Sequence, residues 1–266
     1  MSQTNADRTT DDKLTIIAIS AVACILQDIL HEGLGHGVTA WLSGAHRVTM
    51  STVALQSDIE TRWVSANGTL VNLVFGGIIW CLLLRPQRYR PATFYFLTMA
   101  MAGNLFTGTG YFLFSGVTNF GDWAAVIHGL QPYWMWRAGL IVLGAAAYYA
   151  SMLLVAAQLK RFRSVEENAR RLRVLSWTPY FTDGILAGVA GLLNPAGLFY
   201  VIASALPSTL GANAGLLSLP SIMRKWGVSE GRRVGPIERS LAWIVFGGVA
   251  CLLFIFVLGR GITWSR

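Results

Sequence analysis

The sequence predicts an all-α, polytopic transmembrane helix bundle of about six to seven spans, one of them broken or re-entrant. Three observations carry that expectation. Hydrophobic residues make up 54% of the chain and charged residues only 13%, against roughly 25% charged in a soluble domain. Mean hydropathy is +0.51, and the apolar residues fall into runs close to the roughly 20 residues that cross a bilayer. The basic residues behind the net charge of +8 gather in the connections between those runs. That pattern sets orientation in a membrane rather than contact with nucleic acid. Nucleic acid is therefore excluded as a partner, and membrane lipid is the expected surrounding.

Taken in order, residues 1–13 form a polar tail with Asp7, Asp11 and Asp12. They lack a basic stretch followed by a short apolar core and a small-residue cleavage site, so the first run reads as an uncleaved span. That run covers 14–42. The mixed segment 43–65 carries Arg47, Asp58, Glu60 and Arg62, and its β-branched stretch Arg47–Leu55 predicts a short hairpin or extended edge. Run two is 66–84, followed by a tight basic turn with Arg85, Arg88 and Arg90 between Pro86 and Pro91. Run three is 92–115, and the interrupted segment 116–134 contains Asn119-Phe-Gly-Asp-Trp. Run four, 135–158, opens beside Trp134 and Trp136, an interfacial aromatic signal.

A polar connection, 159–176, then carries Lys160, Arg161, Arg163, Arg170, Arg171 and Arg173. Run five, 177–223, is too long for one span and is broken at Asn194-Pro195 and at Pro207. It reads as one span followed by a second span or a re-entrant segment returning to the same side. The connection 224–239 is basic, with Arg224, Lys225, Arg232, Arg233 and Arg239, and the last span is 240–259. Residues 14–266 thus form a single integral membrane domain. Cys24, Cys81 and Cys251 lie inside apolar runs at no metal or redox spacing and read as small buried hydrophobes.

The three basic connections fall on one side if run five crosses twice. The positive-inside rule then puts the N-terminus in the cytoplasm and segments 43–65 and 116–134 outside. The expected location is a bacterial inner (plasma) membrane.

Outside the tails and connections few ionisable groups remain. The acids are Asp28, Glu32, Asp122 and Asp183, and the four histidines are His31, His36, His46 and His128. An acid or base at a helix centre costs about 2.5–3.5 kcal/mol to insert. A divalent metal repays that cost by turning imidazole and carboxylate into ligands. The stretch His31-Glu32-Gly33-Leu34-Gly35-His36 concentrates these groups. The familiar zinc-peptidase pattern spaces its histidines i and i+4, about 40° apart on a helix. Here they are i and i+5, about 140° apart on an undistorted helix. Convergence requires a π-bulge, which Gly33 and Gly35 would ease. Without a bulge, Asp28, Glu32 and His36 share a helix face and form an alternative ligand set. A hydrogen-bonded packing pair is the bland reading of the histidines.

The run Ile29–Ala40 resembles the active-site helix of the site-2 protease (M50) family of intramembrane metalloproteases, which typically carries H-E-x-G-H. The expanded H-E-x-x-G-H form is similar to the motif of a soluble, zinc-binding dipeptidyl peptidase family. The resemblance implies Zn²⁺ held by His31, His36 and an Asp from a later segment, with Glu32 as general base. Residues 14–134 would be the metalloprotease core and 135–266 additional spans. Asp122 and Asp183 both stand in suitable contexts for the third ligand. Topology favours Asp122, on the outer side with the motif, over Asp183, which enters from the inner side; His46, His128 and Asp28 stay open. Asn104, in run three, is a candidate hydrogen-bond donor to a ligand or substrate.

The implied function is a zinc metallopeptidase cleaving membrane-embedded or juxtamembrane protein substrates. The alternatives are a transporter or proton-coupled carrier and a non-catalytic assembly protein with a degenerate motif. Four histidines are too few for the histidine clusters of a membrane di-iron oxygenase.

Overall fold

The computed structural model describes residues 10–85, 88–163, 169–194, 197, 201–202, 206–226 and 233–266. Pro86, Pro195, Arg232 and Asp7, each singled out in the sequence, lie outside the described residues. The chain is mostly helical. Among the described residues, four helical stretches are long and apolar enough to cross a membrane: Lys13–Leu42, Arg62–Leu83, Tyr133–Phe162 and Leu241–Leu258.

Helix α1 (Lys13–Asp28) begins where Asp12 accepts hydrogen bonds from the Thr15 N–H at 2.9 Å and the Thr15 hydroxyl at 2.8 Å. That cap satisfies an end that would otherwise be orphaned. The helix runs on without a break through a π-helical segment, Ile29–Gly37, into α2 (Val38–Leu42). It stops at Gly44, whose φ of +100° is left-handed. There the N–H groups of Gly44 and Ala45 close back onto the carbonyls of Trp41 (3.1 Å) and Ala40 (3.0 Å), a Schellman end.

The expected hairpin is present as β1 (Arg47–Met50) and β2 (Leu55–Ser57), paired antiparallel with Val48 opposite Ser57. The Asp58 carboxylate accepts from the N–H groups of His46 and Arg47, both at 3.1 Å, and closes the base of the hairpin. The all-α expectation needs a correction here. A third strand, β3 (Ile262–Ser265), joins β1 antiparallel and gives a sheet of order β2-β1-β3. Four residues beyond the last apolar run carry too little periodicity to announce a strand. Arg266 then donates to the Trp41 carbonyl at 2.5 Å and lies over the Trp41 ring at 4.2 Å.

Helix α3 (Arg62–Leu83) is capped by Thr61, whose hydroxyl accepts from the Val64 N–H at 3.2 Å. It starts four residues before run two does, because its first turn is too polar for hydropathy to register. Helix α4 (Pro91–Thr118) has proline in its first turn and ends on Asn119 in the left-handed region. It is the central element. Phe94, Tyr95, Met99, Met101 and Phe106 are all essentially buried, against Ile16 and Ile19 of α1 and Leu83 of α3. A short helix, α5 (Asp122–Ile127), precedes α6 (Tyr133–Leu159).

Helix α7 (Ala169–Gly191) contains Pro179, and the return is broken into α8 (Leu206–Asn213) and α9 (Gly215–Lys225). The last helix, α10 (Leu241–Leu253), continues as a second π segment, Phe254–Leu258, in which the Gly259 N–H reaches back five residues to the Phe254 carbonyl. Of its 18-residue window only 11% is buried inside the protein. Leu241, Val245, Phe246, Val249 and Phe256 face outward, an apolar surface that water would not tolerate. All three thiols are free, and Cys81 is on the outer surface rather than buried.

The two ends of the molecule differ. At one, Arg171 makes a bidentate pair with Asp11 at 2.7 and 3.0 Å and donates to the carbonyls of Phe162 and Gly235. Arg163 donates to the carbonyls of Met223 (3.2 Å) and Trp226 (2.7 Å). The N–H groups of Asp12 and Val234 reach Ile237 and Arg161. The start of α1, the 159–171 connection and the 224–239 connection therefore share one end. The sheet and α5 occupy the other.

Candidate metal centre

The π segment supplies the distortion that the spacing demands. Its hydrogen bonds reach five residues back, as from the Val38 N–H to the Gly33 carbonyl. One turn therefore takes in an extra residue, and His31 and His36 stand as an i, i+4 pair would on an α-helix. Their Nε2 atoms are 3.2 Å apart, with the rings edge-on at 89°. Both side chains are buried, His31 3% and His36 7% exposed.

Glycine makes the room. Helix α3 crosses the π segment where Gly68 meets Gly35, and a Cβ on Gly35 would overlap the Gly68 backbone. A Cβ on Gly68 would overlap His36 Nε2 and lie only 2.8 Å from His31 Cε1. Both imidazoles thus occupy the space a side chain at 68 would fill.

Asp122 comes from the opposite direction. The left-handed Asn119 and Gly121 (φ +81°) turn the chain at the end of α4, so that α5 opens with its carboxylate over the two rings. Asp122 Oδ2 is 3.2 Å from His31 Nε2 and 3.3 Å from His36 Nε2. Among the described residues, His31, His36 and Asp122 form the metal-competent cluster, their ligand atoms all within 4.8 Å of one another.

The far nitrogens settle which atoms face inward. His36 Nδ1 is 2.6 Å from the Val64 carbonyl, which can only accept. His31 Nδ1 is 2.6 Å from Asn72 Oδ1. The Asn72 amide donates to the Gln27 carbonyl at 3.3 Å and to Asn104 Oδ1 at 2.8 Å, and the Asn104 amide donates to the Ala100 carbonyl at 2.8 Å. Two backbone carbonyls therefore fix both amide orientations. Asn72 Oδ1 must accept, so Nδ1 donates on each ring and each Nε2 presents a lone pair. Two lone pairs and a carboxylate oxygen meet in one buried space, an arrangement that calls for a cation. Tetrahedral zinc with bonds of 2.0–2.1 Å separates its ligand atoms by about 3.3 Å, close to the triangle observed.

Glu32 is not one of the converging ligands. It is 7% exposed, and its Oε2 has no hydrogen-bond partner among the described residues. It lines two cavities. One, of about 270 Å³, is shared with His36, Asp122, Tyr111 and the β2 residues Leu55 and Ser57. The other, of about 40 Å³, is shared with Asp28, His31 and Asp183. Tyr111 stacks on His31 with ring centroids 4.8 Å apart.

The remaining candidates lie elsewhere. Asp183 accepts from the Asn213 amide at 2.7 Å and stays outside the cluster, as does Asp28. His46 contributes its backbone N–H to Asp58, and His128 its carbonyl to Arg62. Asn104 supports Asn72 instead of facing a ligand. Asn72 and Gly68 were not singled out in the sequence, although an amide four residues after a glycine in an otherwise apolar run was a readable signal. Set against protein-family models, curated proteins and solved structures, the chain matches none.

Proposed function

We propose that this chain is an intramembrane zinc metallopeptidase of the site-2 protease type, acting on membrane-embedded or juxtamembrane protein substrates. The observation that carries the reading is the convergence of His31 Nε2, His36 Nε2 and Asp122 Oδ2 at 3.2–3.3 Å, with both Nδ1 atoms already committed. These three residues would hold the zinc. Bound there, zinc supplies a Lewis acid and brings the pKa of a water toward about 7. Glu32 Oε2, buried and unpartnered on the wall of the same cavity, is placed to take a proton from the attacking water and pass it to the leaving amine nitrogen. Strand β2 ends the sheet order, and its residues line that cavity. A substrate segment in extended form can pair with that strand by backbone hydrogen bonds.

The membrane arrangement follows from the asymmetric ends. We read seven crossings: the 13–42 helix, α3, α4, α6, α7, the broken α8–α9 return, and α10 with its π segment. Helix α4 is counted as a crossing by its length and its apolar side chains, many of them buried against the other helices. The basic end lies in the cytoplasm with the N-terminus, in a bacterial inner membrane, and the metal centre lies toward the outer face. Residues 14–134 would provide every ligand, and from 135–266 Asp183, Ser208 and Phe254 help line the smaller cavity beside them.

Zinc content and cleavage test this together. Purified protein should hold one zinc per chain, lost in His36→Ala and Asp122→Ala. Glu32→Gln should keep the metal and lose cleavage of a reconstituted membrane-anchored peptide library. Zinc-free wild type, or a cleaving Glu32→Gln, overturns the reading. The half-buried Asp28 and buried Asp183 around one small cavity favour a second reading, a proton-coupled carrier. That reading requires proton flux in proteoliposomes that does not depend on His36.

A further inference from the structure

A second recess lies away from the metal centre, on the outer surface between α1, α7 and the last helix. It encloses about 820 Å³. Its walls are Ile17 and Ala21 of α1, the α7 face from Trp177 through Ile185, and Cys251 of α10. The charged groups are concentrated at one place. Arg170 and Arg173, in the first two turns of α7, line the mouth at the basic end of the molecule. Ile185 is 67% and Phe181 55% exposed, so among the described residues nothing covers this surface.

We propose that this groove binds an anionic phospholipid of the surrounding bilayer, its phosphate at Arg170 and Arg173 and an acyl chain along α7. Length and charge both select that occupant. From Arg173 to Ile185 the helix rises about 18 Å, slightly more than one leaflet's half of the roughly 30 Å hydrocarbon core. A helix from another protein, at least about 10 Å across, would need roughly 1,400 Å³ over that length, well above what the groove holds. The arginines stand at the end where a bilayer's anionic cytoplasmic surface lies in the proposed orientation, and basic pockets between spans on that side suit acidic headgroups. Trp177, anchored through its Nε1–H to the Leu217 carbonyl at 3.2 Å, sits one turn deeper, at the headgroup–chain boundary. The site requires neither the metal nor Glu32.

Native mass spectrometry of the full chain, titrated with phosphatidylglycerol and separately with phosphatidylcholine of the same acyl chains, tests this. One phosphatidylglycerol per chain should bind at least about tenfold more tightly than phosphatidylcholine. Arg170→Gln/Arg173→Gln should weaken phosphatidylglycerol about thirtyfold, from ~1 kcal/mol per basic residue at a charged surface. Arg170→Lys/Arg173→Lys should largely keep it. Ile185→Trp, which fills an outward-facing position in the groove, should weaken both lipids and guards against a misfolded arginine variant. Equal affinity of wild type for the two lipids overturns the proposal. So does phosphatidylglycerol binding undiminished in Ile185→Trp, or a second copy of the chain in place of lipid.

Discussion

Gly68→Ala puts the proposed metal centre in opposition to its own helix. In an α-helix, alanine is favoured over glycine by about 1 kcal/mol, so on propensity alone the substitution stabilises α3. The geometry predicts the reverse for the site. The new Cβ would overlap His36 Nε2, and it would stand 2.6 Å from His36 Cε1 and 2.8 Å from His31 Cε1. Ordinary contact begins at 3.4 Å, so these two ring carbons must retreat by 0.8 and 0.6 Å. Functional constellations tolerate about 0.5 Å. The rings cannot yield in concert, because each Nδ1 is tied by a 2.6 Å hydrogen bond, one to Asn72 and one to Val64. Zinc affinity should fall by a hundredfold or more, on the order of 3 kcal/mol at about 1.4 kcal/mol per decade.

The assay is zinc stoichiometry after chelator competition, beside a thermal melt of the metal-free protein in detergent. Gly77→Ala is the control. It lies on the same helix, and a Cβ there meets nothing within 4 Å. It should keep zinc and gain slightly in stability. Full zinc in Gly68→Ala, or equal loss in both variants, refutes the argument that the imidazoles depend on the space at residue 68.

Three further outcomes follow. Asn72→Ala strips His31 Nδ1 of its acceptor and should lower zinc affinity 10- to 100-fold, read by the same competition, with the fold intact by circular dichroism. Arg171→Gln breaks a pair in which both side chains are 10% exposed; it should destabilise the detergent-solubilised protein by about 3 kcal/mol, seen as a lowered melting temperature with zinc retained. Asp12→Ala removes the α1 cap and should cost about 1 kcal/mol. Hydrogen bonds from the Thr15 N–H and hydroxyl hold the Asp12 carboxyl below its ordinary 3.8, so its contribution is complete above that pH and fades as pH falls through the lower folded value. The difference in melting temperature between wild type and Asp12→Ala should shrink accordingly in acid.

The apolar runs predict the helices because lipid and protein core both demand the same residues. The 14–42 run matches the helix Lys13–Leu42, and the last run matches Leu241–Leu258. Hydropathy fails where a helix extends into polar surroundings, as with the first turn of α3 behind its Thr61 cap. It also fails where pairing is non-local. β3 is defined by β1, more than 200 residues earlier, and nothing in Ile262-Thr-Trp-Ser encodes that partner. The basic connections show the opposite case. A charge count assigned them to one side, and the contacts of Asp11, Arg163 and Arg171 gather two of them with the start of α1 at one end.

The site divides along the same line. That His31 and His36 needed a π-bulge followed from the angle between positions five apart, because helix geometry is local and fixed. That Asp122 rather than Asp183 faces them followed only from topology, since no local rule ties residue 122 to residue 31. The hydrogen-bond relay that sets the tautomers was out of reach. It depends on Asn72 meeting both Gln27 and Asn104, three helices converging at one point. Yet the relay turns the cluster from three nearby polar groups into a ligand set. With the Asn72 amide reversed, its nitrogen would donate toward His31 Nδ1, Nε2 of that ring would carry the proton, and only the His36 lone pair would face Asp122. The motif therefore specifies where metal-binding atoms can sit, and the amides of α3 and α4 specify that they are free to bind.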